Sequence, residues 1–311
     1  MDGVVLDPEV EAVVGSLPLG TGLSAEMLEM MRSAPPPAMG SGVELSDKVE
    51  RTDHVVLDDP EVVVRVHRPA GITDVLPCVY SIHGGGYVVG SYTMDDARFD
   101  GWSARMPCVG VSVEYRLAPQ TPYPGPLEDC YAGLRWTWEH ADELGIDPAR
   151  IGVAGVSAGG GLAAALAILA RDRGEVPLAF QLLECPMLDD RQVTSSSTRD
   201  GLPVWSKESN TFGWRCYLGD LYGTDDVPCH AAAARAVDLV GLPPALVIVG
   251  GADGFRDEDI EYALRLSQAG VQAELHVLPG APHGVQLVPD SAIAKRWRAL
   301  VDDWLDRQLN G

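Results

Sequence analysis

The chain of 311 residues is long enough to bury a sizeable core, and its length suits one α/β domain with an added cap better than two small domains. Its 46% hydrophobic and 22% charged residues match an ordinary globular protein, and a formal net charge of −22 argues against sequence-independent binding to nucleic-acid phosphates or anionic membrane surfaces. Six scattered cysteines without a C-x-x-C pair give neither a zinc spacing nor a disulfide framework. With an acidic N-terminus and no 18-residue apolar run, they predict a soluble cytoplasmic protein with no stable membrane insertion.

Residues 1–45 read as a helical segment separate in composition from the rest. Ser24 is a candidate N-cap, and Leu23, Met27, Met30 and Met31 form a stripe at helical spacing that suits core packing or the wall of a pocket. Ala34-Pro-Pro-Pro-Ala38 ends that helix. His54–Leu57 and Val62–Val66, around Asp58-Asp-Pro60, predict a hairpin, and Leu76–Ile82 reads as a buried strand that runs straight into His83-Gly84-Gly85-Gly86-Tyr87. Three consecutive glycines are entropically expensive to order, so the loop has a purpose, and exposed main-chain N–H groups are the one its position suggests.

Asp95–Arg105 predicts a helix, Cys108–Tyr115 a buried strand, and Leu127–Glu143 a helix carrying Trp136 and Trp138. Gly145–Arg150 reads as a turn. Ile151–Val156 then forms a strand ending in Gly155-Val-Ser157-Ala-Gly159, and Leu162–Ala170 continues as a helix. This G-x-S-x-G sequence is the pattern of a serine held on a tight strand-to-helix turn. The flanking glycines let the backbone fold sharply, Oγ stands above the sheet edge, and the N–H of Ala158 lies at a helix N-terminus where an oxyanion is stabilised.

A further strand spans Leu178–Leu183 and ends at Cys185-Pro186. The interval from Asp189 to about Leu239 breaks the strand-helix alternation and carries Trp205, Phe212, Trp214, Tyr217 and Tyr222, which suggests a helical excursion packed with the N-terminal segment. Strand Ala245–Val249, helix Asp257–Ala269, strand Ala273–Leu278 and a closing helix from Ser291 to Leu309 resume the pattern. The expected divisions are 1–45 (cap), 46–188 (core), 189–239 (second cap segment) and 240–311 (core). The expected fold is α/β, a mostly parallel sheet with helices on both faces.

A serine hydroxyl needs a base, and the base an orienting acid. Of the seven histidines, His54, His67 and His276 lie in strand patterns, His140 in a helix, His230 beside the excursion and His83 at the head of the glycine loop. His283, in Gly280-Ala-Pro-His-Gly284, sits in a loop beyond a late strand where it can reach over the sheet edge. Asp253 leaves the end of the preceding strand and completes the chain order Ser157, Asp253, His283. Asp257, at a helix start, is the rival acid.

His83–Tyr87, Tyr115-Arg-Leu-Ala-Pro119 with Tyr123-Pro124 and Leu127-Glu-Asp129, Gly155–Gly160, Asp253 with Arg256-Asp-Glu258, and His283-Gly284 occur in order from about residue 75 to 285. Together they resemble a bacterial carboxylesterase of the hormone-sensitive-lipase family. The resemblance implies an α/β-hydrolase fold of about eight strands with a helical cap. It implies cleavage of short- to medium-chain carboxylic esters, a small-molecule substrate, no cofactor and no metal. It also implies an oxyanion hole from the N–H groups of Gly84, Gly85 and Ala158. Tyr87, Trp205 and Trp214 are candidate pocket residues, with packing as their alternative role. Val156, Gly161 and Gln120-Thr121 depart from the family's usual Asp, Asn and Glu-His and bear on subfamily and acyl preference. A non-catalytic ligand receptor, which would lack the histidine, and an amidase or lactonase using the same triad are the alternative functions. Family analogy also allows homodimerisation through an edge strand.

Overall fold

The computed structural model describes residues 4–14, 22–33 and 44–311. In chain order these form α1 (Pro8–Val14), α2 (Ala25–Ser33), β1 (Val49–Asp58), β2 (Glu61–Pro69), β3 (Leu76–Ile82), α3 (Asp96–Arg105), β4 (Val109–Glu114), α4 (Gly125–Glu139), α5 (Ala141–Leu144), β5 (Ile146–Val156), α6 (Ala158–Arg173), β6 (Gln181–Glu184), α7 (Lys207–Leu218), β7 (Ala245–Gly250), α8 (Arg256–Gln268), β8 (Ala273–Leu278) and α9 (Ala292–Asn310). The eight strands make one sheet in the order β1-β2-β4-β3-β5-β6-β7-β8. The pairs β1/β2 and β2/β4 are antiparallel and all others are parallel.

The central strands are apolar along their whole length because both faces are covered: every residue of β3 and β7 is buried. Alternation still sorts the side chains. Cys78 and Tyr80 of β3 join the core shared with α4, α6 and α8, whereas Val79 joins the core of Phe99 and Trp102 from α3 and Trp297, Val301 and Leu305 from α9. Helix α6 is buried from Ala158 through Ala170. Small residues close to the sheet and leucines between them let it sit centrally, which is why its apolar residues run all round it.

Register fixes where the site forms. Ile82 pairs with both Val113 and Gly155, Val156 pairs with Glu184, Glu184 with Ile248, and Gly250 with Leu278. The C-terminal ends of β3, β5, β6, β7 and β8 therefore meet along one edge, where ligands bind in open α/β sheets.

Several boundaries differ from the sequence reading. The stretch 145–150, read as a turn, belongs mostly to β5, whose Ile146 pairs with Leu76 before a register shift. The 127–143 helix is interrupted at His140, which caps α4 and starts the short α5. Strand β6 begins at Gln181 rather than Leu178, because Leu178 and Ala179 precede the ladder. The hairpin strands β1 and β2 run well beyond the expected cores.

In α2 the methionine stripe is not the packed face. Leu28 is buried, while Met30 and Met31 are exposed, so the helix is rotated from the expected orientation. Ser24 does cap it, accepting from Met27 N–H at 3.2 Å. The triple-proline break lies outside the described residues. The two N-terminal helices go to different places: Asp7 N–H donates to Gly280 O, whereas Leu23 N–H donates to Ser209 Oγ of α7. Among the described residues no helix is long and apolar enough to cross a membrane.

Candidate active site

At the end of β5 the chain turns into α6 within one residue. Ser157 carries that turn with φ 59° and ψ −121°, a conformation that strains any residue with a Cβ. The turn is held on all sides: Ser157 N–H donates to Glu184 O (2.8 Å), and Ser157 O accepts from Gly161 N–H (2.9 Å) and Met187 N–H (3.0 Å). The flanking glycines are needed for space. A Cβ on Gly155 would collide with the Gly159 carbonyl, and one on Gly159 with the carbonyls of Ile82 and His83.

His283 leaves the loop after β8 and reaches over the edge to this serine. Its Nε2 lies 2.9 Å from Ser157 Oγ, and its Nδ1 lies 2.8 Å from Asp253 Oδ2. The other oxygen of Asp253 accepts from Phe255 N–H at 3.0 Å, so the carboxylate is fixed by its own loop. Ser157, Asp253 and His283 are 7%, 3% and 6% exposed, and the Phe255 ring stands edge-on to the imidazole at 5.1 Å. Nδ1–H thus donates to the carboxylate and leaves the Nε2 lone pair facing the hydroxyl, the tautomer a general base requires. Asp257 is engaged elsewhere, accepting from Ser196 N–H at 2.8 Å and pairing with Arg256.

The glycine loop after β3 runs beside the serine. An added Cβ on Gly84 would lie 3.5 Å from Ser157 Cβ and 2.9 Å from Val156 O. Gly85, Gly86 and Tyr87 take φ of 120°, 60° and 68° in succession, a path open to this loop chiefly because two of the three lack side chains. His83 pins its start. Nδ1–H donates to Gly84 O (2.8 Å), the ring stacks on Tyr115 at 4.2 Å, and Tyr115 O–H donates to His83 O (3.0 Å). Burial pulls the His83 pKa down to about 4, so this imidazole stays neutral. Among the described residues none accepts a hydrogen bond from the N–H of Gly84, Gly85 or Ala158. These donors can serve a bound oxyanion.

The three aromatic candidates separate. Trp205 packs against Gly86 and its ring lies 6.2 Å from that of His283, so it borders the site. Tyr87 is 1% exposed, stacks on Tyr217 at 4.1 Å and donates its hydroxyl to Met187 O (3.2 Å). Trp214 is fully buried against Tyr87. The rings of those two pack together with Tyr217 in the interior.

Several residues around the candidate site were given no structural role there by the sequence. Arg32 of α2 donates to Val88 O (2.9 and 2.7 Å) and Ala118 O (2.7 Å), which clamps the loop from outside, and no local pattern marks it. Glu258, wholly buried, accepts from Leu188 and Asp189 N–H at 2.9 and 3.1 Å. Its neighbour Asp259 is buried with neither carboxyl oxygen hydrogen-bonded. Cys185, read only as a small core residue at a strand end, lies against Asp253 and His283.

Residues 79–287 match a protein family described as having the alpha/beta hydrolase fold. Carboxylesterase NlhH of Mycobacterium tuberculosis is 35% identical over 287 residues, covering 90% of this chain and 88% of that protein. Among solved structures, a bacterial heroin esterase superposes with a TM-score of 0.92 at 41% identity, covering 98% of each chain. Esterase LipW from Mycobacterium marinum does so with a TM-score of 0.85 at 35% identity, covering 97% of this chain and 96% of its own.

Proposed function

The chain belongs to the α/β-hydrolase fold family, in its hormone-sensitive-lipase-like branch, and from that premise we propose that it hydrolyses carboxylic esters with Ser157 as nucleophile, His283 as general base and acid, and Asp253 as its orienting partner. The observation that carries the reading is the pair of hydrogen bonds made by one imidazole, 2.9 Å to Ser157 Oγ and 2.8 Å to Asp253 Oδ2.

In this mechanism Oγ attacks the ester carbonyl carbon as Nε2 takes the hydroxyl proton, and the imidazolium is stabilised by Asp253. The carbonyl oxygen becomes an oxyanion held by the N–H groups of Gly84, Gly85 and Ala158. One such donor is worth about 3 kcal/mol of barrier. Nε2–H then protonates the departing alkoxide, and water attacks the acyl-enzyme by the same relay in reverse. The positive end of the α6 dipole points at the developing charge. No step calls on a cofactor.

In this account the segments 1–45 and 189–239 are assigned to the cap, and among their described residues the bond from Leu23 N–H to Ser209 Oγ joins the two. In this reading Trp205, whose ring lies 6.2 Å from that of His283, borders the acyl pocket, and the substrates are short- to medium-chain esters. A soluble cytoplasmic enzyme acting on small esters, able to pair through an edge strand, is the form the reading takes. A binding-only receptor has no use for a serine already bonded to a base. Amide or lactone cleavage is the second chemistry open to the same groups.

A series of p-nitrophenyl esters from acetate to palmitate tests the proposal. Turnover is expected to be highest at short to medium acyl chains, to exceed that of the matching anilides, and to vanish in Ser157→Ala protein of unchanged thermal midpoint. Undiminished turnover in that variant would contradict it.

A further inference from the structure

One buried group beside the triad has no part in hydrolysis. Cys185 follows β6 directly, with φ 38° and its N–H bonded to Ile248 O (2.7 Å), and is 1% exposed. A ligand atom of Cys185, one of Asp253 and one of His283 all lie within 4.8 Å of one another. Nδ1 is the imidazole nitrogen on this side, since Nε2 faces Ser157. A thiol, a carboxylate and an imidazole are a zinc ligand set, and sulfur, nitrogen and oxygen about 2.0–2.3 Å from a common ion require only a small rearrangement of these side chains.

The charge around them points the same way. Glu258 and Asp259 are buried nearby, and among the described residues no arginine or lysine pairs with Asp253, Glu258 or Asp259. A dication bound by one thiolate, one carboxylate and a neutral imidazole makes a site of zero net charge, and with the thiol proton released, binding offsets one negative charge of this acid-rich interior.

We propose that Cys185, Asp253 and His283 form an inhibitory zinc-binding site. The inference rests on His283 acting as the base, and its chemistry follows from the two ring nitrogens. On binding, the Cys185 S–H loses its proton to solvent and the sulfur bonds zinc. Nδ1 gives up its hydrogen to make its lone pair a ligand, and the ring regains one proton at Nε2. One proton is released overall, and the imidazole remains neutral. Nε2 is then a donor and cannot accept the proton of Ser157, so zinc stops the reaction without touching the serine.

The test titrates chelator-treated enzyme with ZnCl2 while following p-nitrophenyl acetate hydrolysis, each protein being referred to its own zinc-free rate. Wild-type enzyme is expected to be inhibited and to recover on addition of EDTA. Cys185→Ala, with Cys185→Ser as a second variant, is expected to need at least tenfold more zinc for half-inhibition. Binding is read separately in Ser157→Ala protein with Co2+, which is expected to give a sulfur-to-cobalt charge-transfer band that disappears when Cys185→Ala is added. Equal zinc sensitivity with and without the thiol, or no cobalt band, overturns the site. A thiol-dependent band with undiminished wild-type turnover in zinc would instead overturn the role of His283.

Discussion

His283 Nδ1 meets Asp253 Oδ2 at 2.8 Å, while the carboxylate of Asp257, four residues further along, is turned to Ser196 and Arg256. Both aspartates stand near the end of β7, and only the first reaches the imidazole. Asp253→Asn removes the acceptor that fixes the imidazole tautomer, so kcat for p-nitrophenyl acetate is expected to fall by roughly 10³–10⁴. Asp257→Asn is expected to cost less than about tenfold through its loop contacts alone. A reversed ranking in steady-state kinetics would assign the acid to Asp257.

The elbow depends on the absence of two methyl groups. Gly155→Ala and Gly159→Ala drive a Cβ into backbone carbonyls that cannot retreat without parting β3, β5 and α6. Destabilisation of about 1–3 kcal/mol is expected for each, with activity falling in the same proportion or further. Gly174→Ala serves as the control. An added Cβ there meets nothing within 4 Å, although its φ of 66° carries ordinary left-handed strain. Thermal midpoints of the three proteins check the order.

Burial pushes the carboxyls of Glu258 and Asp259 well above the usual carboxylate range, and Asp259 is pushed further by the charges of Glu258 and Asp253. A raised acid pKa in the folded chain means that the fold holds protons the unfolded chain has released. The contribution of Asp259 to stability is therefore fully present below about pH 3.8, the ordinary value for Asp, and declines as pH rises towards the folded-state value. Asp259→Asn cannot ionise. Its thermal midpoint is expected to exceed that of wild type at pH 8, with the gap closing towards pH 4. A gap that is constant across the range, or opposite in sign, contradicts this.

The acid side is governed by histidines held neutral. Burial first, then the charges of Arg51 and Arg65, lowers the His67 pKa to about 3, against the opposing pull of Asp53. Asp96 lies 3.7 Å from the ring. His83 is lowered to about 4 by burial. Depressed values mean that the unfolded chain takes up protons first, so stability present above pH 6.5 is lost as pH falls towards 4, by up to about 1.4 kcal/mol per pH unit for each histidine. His67→Gln, which can keep the 3.0 Å contact with Ser112, is expected to lose less between pH 6.5 and 4.5 than wild type in urea titrations.

Much of the candidate site was legible because its parts are local. A glycine-flanked serine between strand and helix, three glycines after a strand, and a histidine and an aspartate in loops beyond late strands each carry their geometry in a few neighbouring residues. What the sequence concealed depends on contacts between distant segments. Arg32 reaches the loop after β3 from 56 residues away. Cys185 becomes a neighbour of the triad only when β6 is laid between β5 and β7. The rotation of α2 follows from its tertiary partners rather than from its methionines, and the true start of β5 lies in pairing across the sheet, with Leu76, rather than in its Pro-containing sequence.

The claim on which the rest depends is that the Ser157 hydroxyl is the nucleophile. Reaction with a p-nitrophenyl organophosphate, read by intact mass and by peptide mapping, tests it most directly. One phosphoryl group per chain is expected, located on the peptide holding Ser157, appearing at the rate at which ester turnover disappears and absent in His283→Ala protein. Inactivation with the group on another residue, or turnover that persists with Ser157 fully modified, would contradict the account.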